Sequence, residues 1–261
     1  MKIGNRERRS FMVINNELKE NKIYIDNGFY FGEGLFETML IYNNRILFLK
    51  EHIDRINEGL KTIGIDKKIE EKEVINALKE SKFKDGVLKL VVSEKNNIFT
   101  WRKNNYTEDM YNKGFKLKVS NLRRNKDSVI TYLKSLNYLD NILEHRKCKE
   151  EGYDEVLFLN SDNEIAEGSV SNIFFIKNNN IYTPDVNCGL LNGTIRKYIL
   201  KNYSVVEGKF SKNELLKSDE IFLTNSVMGI MPVSKFENRT FKEKEVYNII
   251  NDYKSYIGHA K

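Results

Sequence analysis

The chain has 261 residues, 40% of them hydrophobic and 31% charged, at a mean hydropathy of −0.54, which excludes a disordered chain, a collagen-like fibre and a disulfide-stapled mini-domain. Its 43 basic and 37 acidic residues leave a net charge of +6 with both signs mixed throughout, so no nucleic-acid partner is expected. No apolar run reaches the roughly 18 residues of a membrane span, and no signal-peptide apolar region follows the basic start, so a cytoplasmic protein without membrane contact is expected.

The basic start, with Lys2, Arg6, Arg8 and Arg9, reads as a disordered, solvated arm over 1–10, with a phosphate-binding arm as the alternative. A strand is expected over 11–14, turning at Asn15-Asn16 and resuming over 22–25 as a hairpin. The Gly-punctuated stretch from Gly28 to Gly34 then leads into a strand over 35–42 that ends at the Asn43-Asn44 turn. From Leu49 the apolar period becomes helical, through Ile53, Ile56, Leu60 and Ile63, and Gly64 closes it. A second helix is expected over 74–79 and a strand over 86–92, followed by a polar, irregular segment over 96–113 apart from Trp101 and Tyr106. Residues 115–119 alternate like a strand, and the polar run 121–128 is the expected connection between domains. Beyond it, Leu136, Leu139, Ile142 and Leu143 mark a helix that Gly152 can end. A strand over 156–159 turns at Ser161-Asp162-Asn163, and a hairpin joins 173–176 to 181–184 through Asn178-Asn179-Asn180. A helix from Thr194, a strand over 221–223 and a last helix carrying Val246, Ile249, Ile250 and Tyr253 complete the reading. Hairpins in both halves, mixed with helices, predict an α+β domain over 11–120 and a larger α/β domain over 129–261, with a ligand in the cleft between them.

Phosphate cradles of the dinucleotide and P-loop kinds are excluded. Gly32-Glu33-Gly34 lacks its third glycine because Glu37 stands there, and no lysine precedes Thr194. Cys148 and Cys188 lack C-x-x-C spacing, and His52, His145 and His259 form no metal-binding pattern, so unpaired thiols and no metal are expected. Gly193 directly before the helix at Thr194 suits an anion held by backbone N–H groups, or is an ordinary loop-to-helix junction. Lys134 has apolar flanks and reads either as a desolvated nucleophilic amine or as a snorkelling surface lysine. Glu167, between an apolar pair and a strand, is a buried carboxylate holding a cation or an exposed turn residue. Arg55 lies off the apolar stripe of its helix, which points it to solvent or to the cleft and away from its own domain's core.

Taken together, several motifs make the chain resemble the class IV aminotransferases, the fold-type IV enzymes that use pyridoxal 5'-phosphate. They are Tyr30-Phe31-Gly32-Glu33-Gly34-Leu35-Phe36-Glu37-Thr38, His52-Ile53-Asp54-Arg55, Leu133-Lys134-Ser135-Leu136-Asn137-Tyr138-Leu139 and Glu167-Gly168-Ser169-Val170-Ser171-Asn172. Tyr182-Thr183-Pro184, Gly189-Leu190-Leu191-Asn192-Gly193-Thr194-Ile195-Arg196 and Leu223-Thr224-Asn225-Ser226 complete the set, in family order over essentially the whole chain. The resemblance implies a two-lobed fold like that of D-amino acid aminotransferase, with the cofactor in the cleft. It makes Lys134 the lysine that forms the Schiff base and shuttles the Cα proton, and Glu167 the carboxylate at the pyridine nitrogen. Tyr138 matches the tyrosine near the 3'-oxygen. Arg55, Thr194, Ile195 and Ser226 match the phosphate contacts, although many relatives place the threonine second in the Thr194-Ile195 pair. An amino-acid-like substrate and a homodimer are implied as well. Within the family, Phe36 stands where D-amino acid enzymes carry tyrosine, and 93–103 has no histidine for their Arg-x-His carboxylate trap. Branched-chain enzymes are longer. The short length, with Tyr138-Leu139 after Lys134-Ser135 and with Thr224-Asn225-Ser226-Val227, looks most like the 4-amino-4-deoxychorismate lyases, amino-acid transamination being the alternative. Lys89 and Arg102 are further candidates to meet substrate carboxylates.

Overall fold

An edge-to-edge antiparallel sheet organises the first part of the chain. The computed structural model describes residues 12–14, 23–81, 83–242 and 244–259; the arm at 1–10, Phe11 and the Asn15-Asn16 turn fall outside them. The chain divides into two units, Met1–Asn105 with Lys134–Asn137, and Tyr106–Leu133 with Tyr138–Lys261. The division falls earlier than the polar run 121–128, whose first four residues lie inside a strand of the second unit.

In the first unit β1 (Met12–Ile14), α1 (Asn27–Phe31), β2 (Gly34–Tyr42), β3 (Arg45–Ile46), α2 (Leu49–Thr62), α3 (Glu71–Ser81), β4 (Gly86–Ser93) and β5 (Asn97–Arg102) follow in order. The sheet order is β1-β5-β4-β2-β3, and every pairing is antiparallel. The expected hairpin at the start is corrected. Residues 23–25 form no strand, and β1 pairs with β5, Met12 opposite Thr100. A side chain takes the missing strand's place, because Asn96 Oδ1 accepts the Tyr24 N–H and Asn96 Nδ2 donates to the Tyr24 carbonyl, both at 2.9 Å. Asn43 and Asn44 turn the β2–β3 hairpin at φ of 49° and 61°, the left-handed region that Asn tolerates and a primed turn requires. β5 is an unexpected element in the segment read as irregular. Phe99 and Trp101, alternate residues, are both fully buried, and their signal was diluted by the polar residues around them.

The second unit holds α4 (Glu108–Lys113), β6 (Phe115–Arg124), α5 (Leu139–Glu150), β7 (Glu155–Asn160), β8 (Ile165–Gly168), β9 (Asn172–Lys177) and β10 (Asn180–Pro184). They are followed by α6 (Thr194–Asn202), β11 (Val205–Gly208), α7 (Lys212–Leu216), β12 (Glu220–Asn225), β13 (Gly229–Phe236), β14 (Arg239–Thr240) and α8 (Glu245–His259). Its sheet runs β11-β10-β9-β12-β13-β6-β7-β8, with β14 beside β13, and β6 is parallel to both of its neighbours. Leu117, Leu157, Phe175, Leu223, Met231 and Phe236 fill its main core.

α5 departs from expectation. It starts at Leu139, beyond Leu136, and its apolar residues face outward: Leu139 is 66% and Leu143 49% exposed, while Asn141 and Cys148 are buried. Residues 141, 145 and 148 share one helix face at i, i+4, i+7 spacing. That face packs on β7, so polar contacts decide which side of the helix turns inward.

Candidate active site

Lys134 is seated by main-chain bonds to the start of β2, on the edge that faces away from β4 and lies beyond the reach of β3. The Phe36 N–H donates to the Lys134 carbonyl at 2.8 Å, the Leu136 N–H donates to the Gly34 carbonyl at 2.9 Å, and Ser135 bridges Leu35. The Gly32-Glu33-Gly34 motif makes this approach possible. A Cβ on Gly34 would meet the Val92 carbonyl at 2.6 Å and Leu136 Cδ1 at 2.8 Å. Gly32 closes α1 at φ of 70° and receives the Asn137 amide on its carbonyl at 3.1 Å. With the backbone fixed in this way, Lys134 Nζ lies 4.5 Å from the centre of the Phe36 ring. Lys89 Nζ lies 4.2 Å from the same ring, so two ammonium groups share one aromatic side chain.

The opposite side of β2 carries Glu37, which Arg55 and His52 of α2 enclose. Arg55 Nε donates to Glu37 Oε1 at 2.7 Å and Arg55 Nη2 to Oε2 at 2.6 Å. His52 Nδ1 is 2.6 Å from Oε2. This corrects the reading of Arg55 as turned away from its own domain: its guanidinium is drawn onto the buried carboxylate, which helical periodicity alone does not reveal. Burial pushes the Glu37 carboxyl up, but the Arg55 charge and the hydrogen bonds from His52 and Arg55 outweigh it and hold it well below the usual carboxylate range. An ionised carboxylate only accepts, so His52 carries its proton on Nδ1. Its Nε2 is left buried without a hydrogen-bond partner. Burial also lowers the His52 pKa, against the pull of Glu37, so the folded protein keeps this ring neutral where the unfolded chain takes a proton. Stability should therefore fall as pH drops through about 6.5, where the unfolded chain begins to take up the proton that the folded ring refuses. Urea unfolding at pH 7.5 and 5.5 checks this. His52→Asn, which keeps an N–H for Glu37, should flatten the difference, and an unchanged slope would count against it.

In the second unit Glu167 lies in β8 and is 8% exposed, as a buried carboxylate rather than a turn residue. Arg124 Nη2 stands 3.1 Å from its Oε1, and the Leu191 N–H donates to Oε2 at 3.0 Å. Arg124 lies over the Phe158 ring at 4.0 Å and donates from Nη1 to Asn141 Oδ1 at 3.1 Å. The Tyr138 hydroxyl donates to the Ser169 carbonyl at 3.0 Å. Burial and the nearby Glu167 charge push that phenol above its ordinary pKa, so it remains protonated.

The start of α6 has the features of an anion cradle. Gly193 is its N-cap and offers no side-chain acceptor, so the first N–H groups of the helix are uncapped. A Cβ on Gly193 would meet Asn172 Oδ1 at 2.2 Å, and Asn172 in turn holds the Leu191 carbonyl at 2.8 Å. The buried hydroxyls of Thr194 and Thr224 have no hydrogen-bond partner. Arg196 secures the loop from behind through Asn192 Oδ1 at 3.1 Å, the Pro184 carbonyl at 2.9 Å and Glu207 at 2.5 Å. Ile195 is fully buried. Ser226 follows Asn225, whose side chain accepts the Val227 and Met228 N–H groups at 2.9 and 2.8 Å. Orphaned hydroxyls beside an uncapped helix start suit a phosphate, and a carboxylate braced by Arg124 suits a heteroaromatic nitrogen, so these residues fit pyridoxal 5'-phosphate. Within the first unit the fold brings Lys134 to Phe36 and Lys89, and Arg55 to Glu37. Within the second it links Tyr138 and Glu167 through Asn141 and Arg124. Glu37, His52, Asn172 and Thr224 sat inside the motifs without a role, whereas Arg124 and Asn141 gave no signal at all as site residues. Among the described residues no group of three or more His, Cys, Asp and Glu side chains could hold a metal. No described helix is long and apolar enough to cross a membrane.

The family profile described as "Amino-transferase class IV" matches residues 34–236. Aminodeoxychorismate lyase of Bacillus subtilis is 30% identical over 238 residues, covering 81% of this chain and 80% of the relative. D-alanine aminotransferase of Bacillus licheniformis is 32% identical over 240 residues, covering 82% and 83%. The crystal structure of 4-amino-4-deoxychorismate lyase from Pseudomonas aeruginosa superposes with a TM-score of 0.83 at 21% identity, covering 94% of this chain and 98% of that one.

Proposed function

The chain belongs to the class IV aminotransferase family of pyridoxal 5'-phosphate enzymes, and from that premise we propose that it is a lyase releasing 4-aminobenzoate and pyruvate from 4-amino-4-deoxychorismate. When bound, the cofactor supplies an electron sink for the charge left as the amine-bearing carbon loses its proton. Lys134 would attach it and then, freed by the substrate's amine, take that proton on Nζ. Loss of the neighbouring ether oxygen as the enolate of pyruvate completes the elimination and leaves an aromatic ring; Lys134 would pass its proton to the enolate and then retake its place on the cofactor, which frees the amine of 4-aminobenzoate. Glu167, braced by Arg124 and the Leu191 N–H, would hold a proton on the pyridine nitrogen. Thr194, Ile195, Ser226 and Arg55 would hold the phosphate, and Tyr138 would meet the 3'-oxygen.

The observation that carries the lyase reading is Lys89 beside Lys134 on the Phe36 ring. The substrate bears two carboxylates, neither on the carbon that carries the amine, and Lys89 is a fixed cation next to the proton-transferring lysine. Arg102 has less to recommend it for this role, since its guanidinium donates to the Lys103 carbonyl. Lys89→Met is expected to raise KM for aminodeoxychorismate about 10- to 100-fold, the value of one charge-assisted contact, with kcat little changed. An unaltered KM would remove Lys89 from the account. Amino-acid transamination is the second reading, favoured by the similarity to a D-alanine aminotransferase; it requires a keto acid, which the lyase does not.

The same reading makes the protein a cytoplasmic homodimer. Phe29, Tyr30 and Phe31 of α1 are 69%, 66% and 72% exposed, and this short helix buries none of its residues. Ile23, Tyr24 and Ile25 extend the apolar surface, which is of the kind that marks an interface. Sedimentation at micromolar concentration tests it, and a monomer would contradict it.

A further inference from the structure

Glu155 opens β7 and is 1% exposed. Burial pushes its carboxyl up, but hydrogen bonding and charge from His145, with the hydrogen bonds of Ser169 and Val156, outweigh that and keep it ionised. It collects five donors: the Val156, Ser169 and Val170 N–H groups and the Ser169 and Ser171 hydroxyls. Its oxygens therefore form the centre around which the 168–171 turn is wrapped. A Cβ on Gly168 would meet Ser171 Oγ at 2.2 Å and Glu155 Cδ at 3.2 Å, so only glycine lets the turn close this tightly. On the outer side His145 Nδ1 lies 2.9 Å from Ser169 Oγ and 3.5 Å from Glu155 Oε1.

The turn has one carbonyl with two donors on it. Ser169 accepts the Tyr138 hydroxyl at 3.0 Å and the Asn141 amide at 2.6 Å. With its amide nitrogen committed there, Asn141 presents Oδ1 to Arg124, which is the cation on Glu167. The same contacts explain why α5 turns residues 141 and 145 inward and leaves Leu139 and Leu143 exposed. A buried carboxylate this heavily hydrogen-bonded costs desolvation that a small apolar side chain would avoid, and what it fixes is the position of one peptide.

We propose that Glu155 is a positioning residue for the cofactor ring: by fixing the Ser169 carbonyl it sets both the Tyr138 hydroxyl and, through Asn141 and Arg124, the Glu167 carboxylate. The proposal rests on the reading above that Tyr138 and Glu167 meet the 3'-oxygen and the pyridine nitrogen. Glu155 itself touches neither substrate nor cofactor in this role.

The test is a pH titration of the bound cofactor's absorption in the loaded protein, with unfolding midpoints of the cofactor-free protein alongside. The variants are Glu155→Gln, Tyr138→Phe and the two combined. Tyr138→Phe should move the titration midpoint by about one pH unit, the worth of one hydrogen bond. Glu155→Gln should move it in the same direction by at least half as much, and the double variant should fall short of the sum of the two shifts, the remainder beyond Tyr138→Phe alone being the path through Glu167. Lower stability in Glu155→Gln with an unmoved midpoint, or shifts that add, would overturn the proposal and leave Glu155 a structural residue. Should Glu155→Gln fail to fold, Ser171→Ala removes a single one of the five donors and is judged by the same coupling to Tyr138→Phe. A midpoint that Tyr138→Phe leaves in place overturns the placement of Tyr138 at the 3'-oxygen, and the proposal with it. A protein that binds no pyridoxal phosphate refutes the functional reading instead.

Discussion

Lys134→Ala is expected to reduce turnover by about 10⁴-fold or more, since both attachment of the cofactor and proton transfer reside on one amine. The fold should survive. The contacts that seat this segment on β2 use the carbonyl of Lys134, the N–H of Leu136 and the bridge at Ser135, and none needs the Lys134 side chain. The contact with the Phe36 ring goes with the side chain, and is worth about 1 kcal/mol or less at a partly exposed site. Mass spectrometry after borohydride reduction should find cofactor fixed to Lys134 in the wild type and none in the variant, and circular dichroism should be unchanged. Lys89 is the control this geometry demands, because its amine sits over the same ring. Residual turnover that disappears in Lys134→Ala/Lys89→Met would show Lys89 to be a substitute base; full turnover in Lys134→Ala would remove Lys134 from the chemistry.

The largest loss of stability is expected at Glu37. Glu37→Gln leaves the Arg55 guanidinium, whose side chain is 13% exposed, without its carboxylate. The cost should be about 3 to 5 kcal/mol, because an uncompensated buried charge remains. Replacing both partners, as in Glu37→Met/Arg55→Met, should cost markedly less than the single change, since both desolvation penalties then disappear together. Urea midpoints of the two variants give the comparison. A double variant less stable than Glu37→Gln would mean that the pair is a net source of stability and not chiefly a geometric device. Cofactor affinity should fall in both, because the double variant lacks the Arg55 guanidinium and in Glu37→Gln it loses the carboxylate that holds it bidentate.

How much of this could be read in advance depended on whether the signal was local. The Asn43-Asn44 and Asn178-Asn179 turns were legible because Asn pairs tolerate the positive φ that such hairpins need. The α2 stripe and the start of α6 at Thr194 were legible for equally local reasons, a helical period and a glycine before a helix. α7 was missed despite the Ser211 and Glu214 side chains of a capping box, because the helix is only five residues long. The partner of β1 and the inward face of α5 were not legible, since both depend on contacts across long stretches of chain. The site divides in the same way. Lys134, Glu167, Arg55 and Thr194 were singled out as candidates through motifs, but the reason Arg55 leaves its apolar stripe is Glu37, eighteen positions away. Asn141, His145 and Glu155 meet around Ser169, with Arg124 on the far side of Asn141, and no spacing in the sequence announces that meeting.

The central claim is most directly tested by supplying aminodeoxychorismate to the purified protein loaded with pyridoxal phosphate, with no keto acid present, and following 4-aminobenzoate. The account predicts sustained release with an equal amount of pyruvate, lost in Lys134→Ala. No release from a protein that holds the cofactor, with turnover appearing only when an amino acid and a keto acid are added together, would contradict the lyase reading and make the protein a transaminase.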